Sequence, residues 1–214
     1  MLENNTEDFL STELEYTHIS LLSCKTKVLI IGGGRAGYIK AMSLASKGCK
    51  VFVLSEEFIC DFDNLLNMSN VSIIKGKYES RFIHDKHLVV IAVNDKKVRE
   101  KIKEDCEKLY KLYLDCTDFK EGQFVMPVQR KTENVIFSLN TKGGNPKAAI
   151  FLANVIDKTL SEYDEFIEYI CTVREEAKTL KYKDEILNFI VSEDFRFFYD
   201  KNKHKEVLRM FFNN

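Results

Sequence analysis

The feature that most constrains this chain is the join after residue 31. The apolar, β-branched run Lys27 to Ile31 is stopped by Gly32, Gly33 and Gly34 and followed at once by a helical pattern. A short run of this kind suits a strand buried on both faces of a sheet, because a half-solvated strand would alternate apolar and polar residues. From Arg35 to Lys47 the small and apolar residues Ala36, Ile39, Ala41, Met42, Leu44 and Ala45 fit a helix, and Gly48 stands where a C-cap belongs. A second buried run, Lys50 to Leu54, follows. Strand, glycine turn, helix and strand in such close succession predict a βαβ unit, and with it an α/β fold on a Rossmann-type parallel sheet.

Further strands are predicted at Val71 to Ile74, His87 to Val93 and Lys111 to Cys116, and the apolar stretch His18 to Leu22 reads as a strand feeding the core. Asp95 to Tyr110 carries Val98, Ile102, Cys106 and Leu109 at helical spacing, with its charges on the solvated face. After Pro127 two short strands flank a polar turn, and a helix begins near Asn145 with Pro146 in its first turn. Leu160, Tyr163, Phe166, Ile167, Ile170 and Val173 then suggest one apolar helical stripe, followed by a helical tail rich in aromatics, Phe189, Phe195, Phe197, Phe198, Phe211 and Phe212 among them. The expected organisation is a loose leader (1–16), a nucleotide-binding Rossmann domain (17–118), a small mixed dimerisation and substrate segment (119–160) and a helical tail (161–214). So much apolar surface after residue 115 predicts a twofold homodimer.

Gly32-Gly33-Gly34-Arg35-Ala36-Gly37 satisfies G-x-G-x-x-G directly after a buried strand and before a helix. In that setting Gly32 makes the turn, Gly34 lets the backbone approach a pyrophosphate, and Gly37 allows close helix packing. The helix that follows offers free N–H groups and its positive end to phosphate. The fingerprint expects a ribose-binding acid at the end of the second strand, where this chain has Ser55, Glu56 and Glu57. Two acids without a nearby Arg disfavour a 2'-phosphate, although NAD against NADP stays open. Asn94, at the carboxyl end of a predicted strand, stands either where ligands bind such sheets or as a turn residue before the next helix.

With 32 basic and 33 acidic residues the chain has no global field to draw in nucleic acid or an anionic membrane. No apolar run reaches the length of a membrane-spanning helix, and the acidic start lacks the pattern of a secretory signal. Six scattered cysteines without a C-x-x-C pair suit buried reduced thiols in a cytoplasmic protein, and no spacing of the four histidines spells a metal site.

The order HISLLSCKTKVLIIGGGRAGYIKAMSLASKGCKVFVLSEE, VVIAVND, DCTDFKEGQFVMP and FSLNTKGGNPKAAIFLANVI resembles the precorrin-2 dehydrogenase and sirohydrochlorin ferrochelatase family, including the N-terminal half of bifunctional siroheme synthases. The F-x-M-P and T-x-G-x-x-P blocks at this separation are its most specific part. The resemblance covers about residues 17 to 160 and implies that NAD takes a hydride from precorrin-2 to give sirohydrochlorin, with ferrous iron inserted by some members. By position, Gly34, Arg35 and Ala36 would line the pyrophosphate and Ser55, Glu56 and Glu57 the adenosine ribose. The family's catalytic aspartate falls on Thr117 in an ungapped match, with Asp118 immediately after it; Asp118 is the first candidate and Asp115 the second. Thr141 keeps the hydroxyl of the later block, while Lys142 replaces a frequent glycine and Asn145 a frequent serine. Precorrin-2 carries eight carboxylates, so Arg130, Lys131, Lys142 and Lys147 are candidates for a cationic substrate mouth. The competing expectation is a regulatory or scaffolding module that senses NAD through the same turn and performs no chemistry.

Overall fold

A computed structural model describes residues 15–212. The predicted leader therefore lies, but for its last two residues, outside the described residues, as do the side chains of Phe211 and Phe212. The chain divides into two compact units, one of Tyr16–Met126 and the other chiefly of Pro127–Asn214.

The first unit is a five-stranded parallel sheet in the order β3-β2-β1-β4-β5, with β1 Lys27–Ile31, β2 Lys50–Ser55, β3 Val71–Lys75, β4 Leu88–Ile91 and β5 Leu112–Asp115. Side chains alternate across a strand, and β1 shows the consequence. Val28 and Ile30 pack on one face with Ala41 and Ala45 of helix α1 (Arg35–Ala45). Leu29 and Ile31 pack on the other with Ile102 and Cys106 of helix α2 (Lys96–Lys108). Because both faces are covered, every residue of β4 is buried and the strands read as unbroken apolar runs. Asp95 starts α2 by accepting the N–H groups of Lys97 and Val98, an ordinary N-cap. The strand expected at His18 to Leu22 does not form: residues 17–22 have no regular structure, and Ile19 is 76% exposed. The reason is positional, since β1 already has β2 and β4 as its two neighbours and no sheet edge is left beside it.

The second unit opens with an antiparallel pair, β6 (Val128–Lys131) and β7 (Ile136–Leu139). Its tip is held by Asp164, whose carboxylate accepts the hydroxyl of Thr132 and the N–H groups of Glu133 and Asn134. Five helices follow: α3 (Pro146–Ser161), α4 (Asp164–Ala177), α5 (Lys183–Ile190), α6 (Glu193–Asp200) and α7 (His204–Phe212). Asn145 caps α3 through Ala148 N–H, as Pro146 at the first helical position anticipated. The single stripe expected from Leu160 to Val173 is instead split, because the helix stops at Ser161 and restarts at Asp164. Phe166 and Val173 therefore belong to a core with Ile186, Ile190, Phe195 and Leu208 that excludes Leu160. Much of the tail's aromatic surface is consumed there, with Phe189 edge-on to Phe195. The exposed apolar face lies on α3 instead, at Ile150, Phe151, Leu152 and Val155.

No helix among the described residues is long and apolar enough to cross a membrane. The expectation of buried thiols holds only in part: Cys49 and Cys106 are buried, but Cys24, Cys60 and Cys171 are exposed, lying on turns and a helix face away from the cores.

Candidate functional site: the glycine turn and the carboxyl edge of the sheet

The glycine turn is built by close approaches. Gly32 has φ +127°, which side-chain-bearing residues rarely adopt, and a Cβ there would stand 2.3 Å from the carbonyl oxygen of Ala92, just after β4. Gly37 packs the first turn of α1 so tightly that its Cβ would meet the Gly32 carbonyl at 2.1 Å. Gly34 differs from both, because a Cβ there would meet nothing within 4 Å. It is the N-cap of α1, and no side chain caps that helix end. Open space in front of unsatisfied helix N–H groups is what a pyrophosphate requires, so these residues fit a dinucleotide. Gly34, Arg35 and Ala36, all exposed, are the ones that would hold its phosphates.

Gly33 was not singled out by the motif, yet its Cβ would collide with the Glu57 carbonyl oxygen at 2.1 Å. The loop after β2 thus lies on the glycine turn, and Gly33 O accepts the Ile59 N–H. Only the tertiary approach reveals this. The same loop supplies Asp61, whose Oδ2 is 2.5 Å from Arg35 Nη1, so Arg35 is tied to a neighbour rather than left free over the turn. Ser55 ends β2, followed by exposed Glu56 and Glu57. Glu56 is 3.9 Å from Lys77 Nζ, and Glu57 meets the turn through its backbone. Asn94 is exposed between β4 and the cap of α2. The glycine turn, the end of β2 and Asn94 all follow the carboxyl ends of neighbouring parallel strands, where such sheets bind ligands.

The two candidate aspartates part company. Asp115 is the last residue of β5, and its side chain is fully buried. Oδ1 accepts the N–H groups of Thr117 and Asp118, at 2.8 and 3.3 Å. Oδ2 lies 3.1 Å from Lys103 Nζ and 3.4 Å from Arg99 Nε. Burial pushes its pKa up, but the Thr117 N–H and the Lys103 ammonium outweigh burial and hold the carboxyl below the ordinary value. A carboxylate so enclosed has no face for a substrate. Asp118 is exposed, and its Oδ1 caps the 3-10 turn Phe119–Glu121 through Lys120 N–H at 3.1 Å. Its Oδ2 has no protein partner among the described residues, so it can meet a ligand while still ending the turn.

In the second unit the predicted substrate residues do not form one cluster. Thr141 Oγ1 accepts Asn145 N–H at 2.8 Å, and with exposed Lys142 and Lys147 it stands at the start of α3. Arg130 on β6 instead binds Asn154 Oδ1 with two nitrogens, at 3.2 and 3.0 Å. That contact lies seven residues beyond Lys147, roughly 10 Å along the helix axis. Arg130 thus joins β6 to α3, while Thr141, Lys142 and Lys147 share the helix start. Among the described residues no group of three or more His, Cys, Asp or Glu side chains could hold a metal ion.

Comparison with known proteins agrees with this geometry. Residues 19–128 match the family model described as "Putative NAD(P)-binding". A "Putative precorrin-2 dehydrogenase" of Methanocaldococcus jannaschii is 27% identical over 160 residues, covering 71% of this chain and 76% of that protein. A "Siroheme synthase" of Enterobacter sp. (strain 638) is 22% identical over 153 residues, 71% of this chain but 33% of the relative. The chain spans between 23% and 33% of the length of the siroheme synthases and the multifunctional siroheme biosynthesis protein that it matches. In fold it is similar to SirC, precorrin-2 dehydrogenase, with a TM-score of 0.69 over 92% of this chain and 100% of that one, at 18% identity. With the family model spanning just over half of its residues and the glycine turn built and open in front of α1, the chain belongs to the NAD(P)-binding family of the precorrin-2 dehydrogenases and siroheme synthases.

Proposed function

We propose that this protein is an NAD-dependent precorrin-2 dehydrogenase, converting precorrin-2 to sirohydrochlorin in siroheme biosynthesis. The observation that carries the reading is the open, uncapped start of α1 at Gly34, within a chain whose relatives are precorrin-2 dehydrogenases and siroheme synthases. NAD, when bound, supplies the acceptor for the hydride that precorrin-2 loses. The chain's own work is to hold and orient. Gly34, Arg35 and Ala36 hold the pyrophosphate, Ser55 and Glu56 take the ribose hydroxyls, and Asn94 borders the nicotinamide end. Asp118 receives the proton that leaves precorrin-2 with the hydride, or guides its departure by charge, from the loop after β5. Thr141, Lys142 and Lys147 at the start of α3 meet the substrate's carboxylates, with Arg130 behind them.

The exposed apolar face of α3 forms a homodimer contact in this reading, and six free thiols suit a reducing cytoplasm. Ferrous iron enters as a second substrate only if the chain also inserts metal. The decisive test mixes the purified protein with precorrin-2 and NAD and follows absorbance, first without metal and then with ferrous or cobalt ion. NADH formation is expected, and Asp118→Ala should slow it by at least about tenfold with NAD affinity unchanged. Tight NAD binding with no turnover of precorrin-2 would instead favour a sensing or scaffolding module, for which Asp118 is only the cap of its turn.

A further inference from the structure

The segment that presents Asp118 is gripped at both ends by one cation. At its start, Asp115 Oδ1 accepts the N–H groups of Thr117 and Asp118, while Asp115 Oδ2 sits 3.1 Å from Lys103 Nζ. At its end, Glu121 Oε2 is 3.3 Å from the same Lys103 nitrogen. Glu100 of α2 is a third carboxylate at 3.4 Å, and Arg99 reaches Asp115 from the preceding residue at 3.4 Å. The Lys103 side chain is 8% exposed and that of Asp115 is fully buried, so this central pair is sheltered from water while Glu100 and Glu121 close it from the solvent side.

Such a cluster is a costly way to fill space, because apolar side chains of similar volume pack as well without the loss of hydration. What apolar residues could not do is draw Asp115 and Glu121 to one point. Between those two residues the chain makes the turn Phe119–Glu121, closed by Glu121 N–H to Asp118 O at 3.1 Å. Beyond it Gln123 returns to β5, its N–H bonding Tyr113 O at 2.9 Å and its side chain accepting Tyr113 N–H. The loop is therefore a short closed excursion whose two ends both bear on Lys103.

We propose that Lys103 is a positioning residue for the dehydrogenase reaction, fixing the Thr117–Glu121 backbone through Asp115 and Glu121 so that Asp118 is presented in one place. This rests on the reading of Asp118 given above. Near-attack geometry is sensitive to displacements of an ångström, so loosening the loop should act on turnover and spare the distant glycine turn. The test measures kcat and KM for precorrin-2, NAD affinity by calorimetry and the melting temperature for Lys103→Met, Lys103→Arg, Glu121→Gln, Asp118→Ala and the double variants. Lys103→Met is expected to lower kcat at least about tenfold with NAD affinity within about twofold of wild type, and Lys103→Arg to recover most of the loss. Combined with Asp118→Ala, Lys103→Met should add little, since both act through one carboxylate.

A slow Asp118→Ala beside a Lys103→Met of wild-type kcat overturns the positioning role alone, as does a double variant slower by the full product of the two single losses. An Asp118→Ala of wild-type kcat overturns the catalytic reading and the positioning role with it. Should Lys103→Met fail to fold, Glu121→Gln decides, because Glu121 is a largely exposed partner. A kcat about threefold lower at an unchanged melting temperature, with no further loss when combined with Asp118→Ala, sustains the proposal, and an unchanged kcat overturns it.

Discussion

In the unit of residues 16–126, β1 sends Val28 and Ile30 to one face of the sheet and Leu29 and Ile31 to the other, and none is more than 3% exposed. In the unit after Pro127, the 16-residue α3 buries only Ala149 and Ala153 and leaves Phe151 67% exposed. The difference lies in what each element needs. A central parallel strand is stable only when both faces are covered, so the sheet and the helices on its two faces form within about a hundred residues. An amphipathic helix needs cover on one stripe, and a chain can leave that stripe for another surface. The sheet unit thus covers its own apolar residues, whereas the helical unit leaves an apolar stripe of α3 exposed.

The sharpest way to break that comparison is within the glycine turn. Gly32→Val should cost the sheet unit at least about 3 kcal/mol, since backbone fills the space and φ is positive there. Gly34→Asp should leave the melting temperature near wild type and abolish NAD binding, because its side chain enters open space at the helix start. Equal loss of stability in the two variants would show the turn to be merely structural.

The buried ion cluster offers a second test, through pH. Asp115 has a depressed pKa in the folded protein, so its contribution is present above the ordinary carboxylate value of about 3.9 and lost as pH falls through the depressed one. Lys103 is shifted the opposite way: burial lowers its pKa, Asp115 and Glu121 outweigh burial, and the result lies above the ordinary value. Its contribution is present below about 10.4 and is lost as pH rises through the raised value. Asp115→Asn should therefore destabilise the protein by about 3 kcal/mol at pH 7 in urea unfolding, with the gap to wild type narrowing below about pH 4. A gap that stays constant down to pH 3 would mean that the charge of Asp115 is not what stabilises.

For the helical unit, Phe151→Glu on α3 should weaken self-association at least about thirtyfold by light scattering and leave NAD affinity unchanged. A dimer as tight as wild type would move the contact off α3. The smallest effect concerns the thiols. Burial, with Asp105 and Glu107 nearby, pushes the Cys106 thiol up to about 12, so native protein at pH 8 should label promptly at Cys24, Cys60 and Cys171 and not at Cys106. Prompt labelling of Cys106 would show that the sheet unit opens readily.

Much of the site is legible in the sequence alone. A strand buried on both faces, a glycine turn and a helix start are local matters of side-chain size, backbone freedom and period, and all three stand between Lys27 and Ala45. The helix starts near Asp95 and Asn145 and the hairpin after Pro127 belong to the same class. What was missed depended on neighbours distant in sequence. His18 to Leu22 has the composition of a strand, but β1, the strand it leads into, is already paired on both sides by β2 and β4. The Leu160 to Val173 stripe has one period but two helices, because the chain turns at Glu162 and Tyr163.

Asp115 and Asp118 mark the boundary most clearly. Three residues apart, they are indistinguishable as letters, and either could serve as the acid before F-V-M-P. Local chemistry determined that a carboxylate would stand near the end of β5 and that a dinucleotide could meet Gly34. Only the packing of α2 against β5 decided which carboxylate Lys103 and Arg99 would enclose and which would stay in water. The reason is physical: a charge can be buried only where partners from elsewhere in the chain replace its water, and the sequence around an aspartate does not contain those partners.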